Sequence, residues 1–286
     1  MHSVETPEQF WQALLTGNKP EMPIRQLRHL LALLPGRARC KFCNAPFDGI
    51  WAPVMRVVGR GPSRLTKQLC NKCQVVATKH IGGAQVDVTL LFADVRGSTE
   101  LGERLDPTEF SRVISHFFAV ASRTLLASRA WVDRLAGDQV VGIYLPFFAG
   151  QHPERSAWTA ARALLRALAD DLSSGRSPDV GIGIHSGKAF IGTVGSCDSA
   201  TDITVLGDVP NVAARLASAA KAEEILISQA SYVRSATPLN LKPRSLTVKG
   251  KSQSLTVYAW QEFGPARQCP LQPRSIGGGR GRQYIR

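Results

Sequence analysis

Two strand-like apolar runs in the middle of this chain each meet an aspartate at a glycine turn. The first is Val-Thr-Leu-Leu-Phe-Ala-Asp-Val-Arg-Gly-Ser-Thr, residues 88–99, with Asp94 as its carboxylate. The second is Val-Asp-Arg-Leu-Ala-Gly-Asp-Gln-Val-Val-Gly-Ile-Tyr, residues 132–144, with Asp138 at the turn. A strand that stops at an exposed carboxylate suits a divalent cation. Mg²⁺ is typically held by one or two carboxylates, substrate phosphates and water. A pair of such carboxylates, about forty residues apart on adjacent strands, suits the two ions of a phosphoryl-transfer site.

The surrounding composition is that of a folded domain rather than a membrane segment or a disordered chain. At 286 residues with 44% apolar side chains, one or two domains with a real core are expected. No run approaches the roughly 18–20 apolar residues of a membrane span. The N-terminus, Met-His-Ser-Val-Glu-Thr-Pro-Glu-Gln-Phe, has neither a basic nor an apolar leader region, so the chain reads as cytoplasmic. The net charge of +13 is uneven. Residues 1–85 carry 12 Lys/Arg and 4 Asp/Glu, residues 86–262 carry 18 of each, and residues 263–286 carry 5 Lys/Arg and no acid. A neutral body with basic flanks results. Basic flanks attract nucleic acid or another anionic partner, or are simply a solvated surface and tail.

Residues 4–34 have a helical pattern that Pro20 and Pro23 divide into two short helices. Residues 37–83 read as loop-rich, and Gly82-Gly83 as a hinge. Beyond them come a strand over 86–93, an amphipathic helix over 107–128 and strands over 130–135 and 139–145. A helix over 154–172 follows. Residues 179–185 and 189–194 read as a hairpin around Ser186-Gly187. A helix over 210–220 opens on Pro210, and strand, helix, strand, strand fill 224–260. The order β-α-β-β-α-β with additions predicts an α+β, ferredoxin-like core preceded by a small helical and zinc-ribbon-like module. The expected division is a helical segment over 1–36, a cysteine module over 37–83, a catalytic domain over 86–262 and a disordered basic tail over 263–286.

Five ordered motifs connect the central segment to a known family. They are Leu-Phe-Ala-Asp-Val-Arg-Gly-Ser-Thr (91–99), Arg-Leu-Ala-Gly-Asp (134–138) and Gly-Ile-Gly-Ile-His-Ser-Gly (181–187). Thr-Val-Leu-Gly-Asp-Val-Pro-Asn-Val-Ala-Ala-Arg (204–215) and Leu-Thr-Val-Lys-Gly-Lys (246–251) complete the set. Residues 86–260 thus resemble the catalytic domain of class III adenylyl/guanylyl cyclases. The resemblance implies that Asp94 and Asp138, with the Val95 carbonyl, bind two Mg²⁺ or Mn²⁺ ions. It implies attack of the ribose 3′-oxygen on the α-phosphorus, with pyrophosphate leaving. It implies that Asn211 orients the ribose and Arg215 stabilises α-phosphate charge; the two lie on one helix face at i and i+4. Gly97, Ser98 and Thr99 lie in a turn whose N–H groups meet phosphates. The resemblance also implies that Lys249 or Lys251 reaches the terminal phosphates, with Lys249 favoured. His185 reads as a core or interface residue and not as a ligand.

The same resemblance identifies the base-reading positions. Adenine offers an acceptor at N1 and a donor at N6. The family usually places a Lys four residues before the second metal aspartate, and here that position holds Arg134. The second position, seven residues before Asn211, holds Thr204, as in a large bacterial subgroup that favours ATP. Arg134 keeps the donor and the charge, although Arg and Lys differ in shape and hydrogen-bond geometry. The metal set and the base and transition-state set come from different subunits in this family. One chain carries both, so a homodimer is implied.

Cys40-Lys-Phe-Cys43 and Cys70-Asn-Lys-Cys73 form two C-x₂-C pairs. Such pairs point to a four-thiolate site, most often structural Zn²⁺. An iron–sulfur cluster or redox-active thiols are the other readings. Cys197 and Cys269 read as ordinary thiols. Three functions are therefore open: an adenylyl cyclase acting on ATP, a cyclase-like nucleotide-binding regulatory module, and a zinc-ribbon adaptor for nucleic acid or protein.

Overall fold

The computed structural model describes residues 6–18, 24–36, 38–64, 68–134, 137–172, 177–194, 202–235, 241–247 and 254–261, without the side chains of Arg25, Arg134, Asp171, Leu172 and Asp202. The N-terminal part contains α1 (Pro7–Thr16), α2 (Ile24–Ala32), α3 (Ala52–Val57) and α4 (Asn71–Lys79). Then follow β1 (Gly83–Val95), α5 (Ser98–Arg104), α6 (Pro107–Ala127), β2 (Trp131–Arg134), β3 (Gln139–Tyr144), α7 (Pro146–Ala149) and α8 (Pro153–Leu172). The chain continues through β4 (Val180–Val194), β5 (Asp202–Leu206), α9 (Asp208–Ala219), β6 (Glu224–Ser228), α10 (Gln229–Arg234), β7 (Pro243–Leu246) and β8 (Leu255–Gln261).

The strands form one sheet in the order β2-β3-β1-β4-β6-β8-β7, with β5 pairing separately on β4. Strands β4-β1-β3-β2 and helices α6 and α8 form the expected βαββαβ core, with antiparallel pairing throughout. The later elements extend the sheet beyond β4, beginning with the parallel neighbour β6.

Local chemistry accounts for the helix starts. Thr6 and Gln9 form a reciprocal capping box ahead of α1, and Gly17 ends that helix in the left-handed conformation. Asp106 accepts from the N–H groups of Thr108 and Glu109 at the start of α6, with Pro107 in the first helical position.

Side-chain alternation on β1 creates two cores. Val86, Val88, Leu90 and Phe92 face α1, the cysteine module and α9. Leu91, Ala93 and Val95 face the opposite way, among buried residues of α6 and α8. The period of two covers both sheet faces with helices. Phe10, Trp11, Leu14 and Leu15 of α1 lie in the same buried cluster as Cys40, Cys43, Cys70 and Cys73. At about 25 cal/mol per Å² of apolar surface, four such side chains supply a large share of that face's stability.

The structure changes several details of the sequence reading. No hairpin forms at Ser186-Gly187, because residues 180–194 are one continuous strand paired with β1 from end to end. Gly187 serves close packing there instead of turning the chain: a Cβ would lie 2.9 Å from Val209 Cγ2. Ser186 Oγ is bonded to Thr89 Oγ1 at 2.9 Å and to Ser231 Oγ at 2.8 Å. Gly82-Gly83 is a pinned crossing. The Gly82 N–H donates to Thr193 Oγ1, the Thr193 N–H donates to the Gly82 carbonyl, and both bonds are 2.8 Å long. Residues 37–83 are also less loop-like than expected, since α3 and α4 lie within them.

Candidate functional site

Asp94 and Asp138 converge at one end of the β1–β3 pair. Asp94 lies opposite Gln139, the residue after Asp138. The Val95 N–H donates to the Asp138 carbonyl at 3.4 Å. Antiparallel pairing thus turns a separation of about forty residues into adjacency. Asp94 is buried at 8% exposure, and Asp138 is partly exposed. Two carboxylates and a strand-end carbonyl make an all-oxygen donor set, which fits a hard divalent cation.

A guanidinium also meets this set. Arg96 Nη2 contacts Asp94 Oδ2, while Arg96 Nη1 donates to the carbonyls of Ser218 at 2.8 Å and Ala220 at 3.3 Å. Burial lowers the Arg96 pKa, and the nearby Asp138 charge opposes that shift. Beyond Arg96 the chain turns at Gly97, whose φ of 61° places it in the left-handed region, and Ser98 and Thr99 open α5. The first-turn N–H groups of a helix have no partner within it, which makes this turn suited to phosphate oxygens.

Asn211 and Arg215 occupy α9, four residues apart on its outward face. Val209, Val212, Ala213, Leu216 and Ala217 are its buried residues. The helix can lie this close to β4 because Gly183 has no side chain: a Cβ there would be 2.3 Å from the Ala217 nitrogen and 2.5 Å from the Ala213 carbonyl oxygen. Asn211 Nδ2 donates to the Gly207 carbonyl at 3.3 Å. Thr204 lies on β5 opposite Gly192, and Gly192 lies opposite Gly83. Thr204 is thus level with the start of β1 and Asp94 with its end. At about 3.3 Å per residue the two levels are about 35 Å apart. Among the described residues, no hydrogen bond or ion pair joins Asp94 or Asp138 to Thr204, Asn211 or Arg215. Arg134 ends β2 and pairs with Val140; its side chain lies outside the described residues, as do Lys249, Cys197, Cys269 and the basic tail.

The four cysteines form a second site. Cys40 and Cys43 bracket a tight turn closed by Cys40 N–H to Ala45 O and Asn44 N–H to Cys40 O, both 2.9 Å. Cys70 caps α4 and Cys73 sits in its first turn. All four are buried, and their sulfurs lie within 4.8 Å of one another. Cys43 Sγ and Cys70 Sγ are 3.7 Å apart. A tetrahedral ion with bonds of about 2.3 Å requires sulfur separations of about 3.8 Å. The cluster therefore fits one metal ion. Hydrogen bonding from Cys40 favours the Cys43 thiolate, whose pKa is strongly depressed.

Two features here left no trace in the sequence reading. Arg28 is buried, donates to three backbone carbonyls and lies over the Phe148 ring at 4.2 Å. Burial lowers its pKa to about 10, and Cys40, Cys43 and Cys73 act against that shift. Lys41, inside the first C-x₂-C, pairs with Asp133 on β2. An arginine within an apolar helical pattern was the only available signal for the first.

Comparison with known proteins places these observations in context. Residues 83–261 match the adenylate and guanylate cyclase catalytic domain. An adenylate cyclase of Anabaena cylindrica is 29% identical over 187 residues, which cover 60% of this chain and 36% of that protein. This chain thus spans about a third of that relative's length. The adenylyl cyclase CyaB of P. aeruginosa superposes with a TM-score of 0.55 at 26% identity, covering 63% of this chain and 95% of that structure. The guanylyl cyclase Cya2 gives a TM-score of 0.58 at 23% identity, covering 63% and 93%. Among the described residues, no helix is long and apolar enough to cross a membrane. The chain belongs to the adenylate and guanylate cyclase catalytic-domain family.

Proposed function

We propose that this chain converts ATP to cyclic AMP and pyrophosphate at two composite sites of a homodimer in the cytoplasm. One observation carries the reading. The carboxylate pair and the Thr204 position lie at opposite ends of the same paired strands, too far apart to share one substrate within a chain. A two-fold partner running the opposite way brings the second set to the first.

In this reading Asp94, Asp138 and the Val95 carbonyl hold two Mg²⁺ or Mn²⁺ ions. Such ions supply charge neutralisation at the phosphates and ease ionisation of the ribose 3′-hydroxyl. The turn at Gly97, Ser98 and Thr99 directs backbone N–H groups at the phosphate chain, and Lys249 supports its terminus. Asn211 orients the ribose so that the 3′-oxygen faces the α-phosphorus. Arg215 stabilises the charge that develops there. Positioning and electrostatics dominate, with no covalent role for the protein.

ATP is favoured by Thr204, which accepts from the adenine amino group, and by Arg134, which donates to N1. Neither position supplies the carboxylate that would accept from guanine N1–H and N2. The adenylate cyclase name of the Anabaena relative agrees, although solved relatives include a guanylyl cyclase. At the cysteines we assign one structural Zn²⁺, because the sulfur spacing matches a single tetrahedral ion. The test is direct: incubate zinc-loaded dimer with Mn²⁺ and ATP or GTP, and measure cyclic nucleotide and pyrophosphate. Cyclic AMP is expected from ATP. No product from either nucleotide sinks the reading, and preferential cyclic GMP overturns the base assignment.

A further inference from the structure

The cysteine turn grips a strand of the nucleotide site. Lys41 Nζ donates to Asp133 Oδ1 at 2.5 Å, and the two side chains are only 15% and 23% exposed. Arg28 Nη1 donates to the carbonyls of Lys41 and Phe42, both at 2.8 Å. Arg28 Nη2 donates to the Ala130 carbonyl at 2.7 Å. Ala130 immediately precedes β2 and Asp133 is its third residue. The next residue is Arg134, and Asp138 lies four further on.

This placement matters because β2 is short and lies at the sheet edge, anchored in the core through Trp131 and Val132. It is a four-residue strand and, among the described residues, pairs within the sheet only with β3. On its other side Lys41 and Arg28 reach Asp133 and the Ala130 carbonyl, beside a cavity lined by Cys40, Lys41, Val132 and Asp133. Two cations therefore fix β2 from outside, and both depend on the turn between Cys40 and Cys43. If the thiolates separate, the Lys41 and Phe42 carbonyls move with them. Arg28 is then left buried with fewer acceptors, which is strongly unfavourable.

We propose that Arg28 and Lys41 are positioning residues that transmit the filling of the thiolate site to β2, and so set nucleotide affinity through Arg134 and Asp138. The grip on β2 stands on the bonds above; its effect on nucleotide rests on the cyclase reading.

The test uses the full chain, zinc-loaded or stripped, with Asp133→Asn and the charge swap Lys41→Asp/Asp133→Lys. Elemental analysis first establishes that Asp133→Asn keeps its zinc. Hydrogen exchange then reads the amides of residues 131–134 against those of β6 as an internal control. Exchange in 131–134 is expected to rise about tenfold in Asp133→Asn with β6 unchanged. Affinity for 3′-deoxy-ATP with Mn²⁺, which needs no turnover, is expected to fall roughly three- to tenfold. The charge swap should recover part of both. Stripping zinc from the wild type should reproduce the exchange change and add little in Asp133→Asn. Unaltered exchange at 131–134, or an equal rise in β6, overturns the grip. Altered exchange with unaltered affinity overturns the link to nucleotide. A wild-type dimer that binds no nucleotide sinks the cyclase reading, and the exchange data still decide the grip.

Discussion

Arg96 contacts the carboxylate of Asp94, two residues before it, while the same guanidinium bonds the Ser218 carbonyl at the end of α9. It joins the carboxylate end of β1 to the helix that carries Asn211 and Arg215. It also competes with any cation for Asp94. Arg96→Met is therefore expected to lower the Mn²⁺ concentration for half-maximal activity at least about threefold, since a neighbouring positive charge is removed. Its stability should fall by about 1–3 kcal/mol through lost hydrogen bonds. Metal titration and urea unfolding measure the two effects, and weaker Mn²⁺ binding would contradict the competition.

Subunit mixing tests the composite site. Asp94→Ala and Arg215→Ala should each reduce turnover by about a hundredfold or more as pure homodimers. Mixed in equal amounts and allowed to exchange, they should recover about a quarter of wild-type activity, because half the dimers hold one intact site. No recovery, with heterodimers demonstrated by mass, rules out sites shared between subunits.

Gly183→Ala places a methyl group against the backbone of α9 at Ala217 and Ala213. Backbone cannot rotate away as a side-chain tip can. A loss of about 3 kcal/mol is expected, with Tm lower by roughly 5–10 °C. A thermal melt unchanged within a degree would refute the close packing.

The buried thiol cluster predicts one zinc per chain by elemental analysis. Cys43→Ser should reduce that content and lower Tm by more than about 10 °C, since structural zinc carries much of the folding energy of a small metal module. Iron in place of zinc, with visible absorption, would overturn the metal assignment.

In the proposed function, base choice concentrates on Arg134. Arg134→Lys should raise kcat/KM for ATP several-fold, because a compact ammonium approaches adenine N1 with fewer geometric demands than a planar guanidinium. Steady-state kinetics with ATP and GTP check this, and a fall for ATP would show that the arginine is the better partner here.

What the sequence disclosed was local or repetitive. The adjacency of Asp94 and Asp138 was legible because each lies where an apolar run meets a turn, and the cysteine cluster because knuckle spacing is local. One misread feature was Ser186-Gly187, where a turn-like pair instead gives room to α9. Sequence cannot distinguish a glycine that turns the chain from one that admits a neighbour. Arg28 was invisible for a different reason. Its partners are backbone carbonyls of Lys41, Phe42 and Ala130, and a carbonyl belongs to every residue type. The Lys41–Asp133 pair spans 92 residues of chain, so only the fold brings it together.

The unbroken β4 has a mechanical consequence. It acts as a stiff beam of about 50 Å, at about 3.3 Å per residue, with the carboxylate pair level with one end and Thr204 level with the other. A stiff beam does not let its ends adjust separately. In the proposed homodimer, a small rotation of one subunit against the other changes the gap at both composite sites by the same amount and at the same time. A regulator of this protein would need no contact with nucleotide; it would only have to set the angle between two beams.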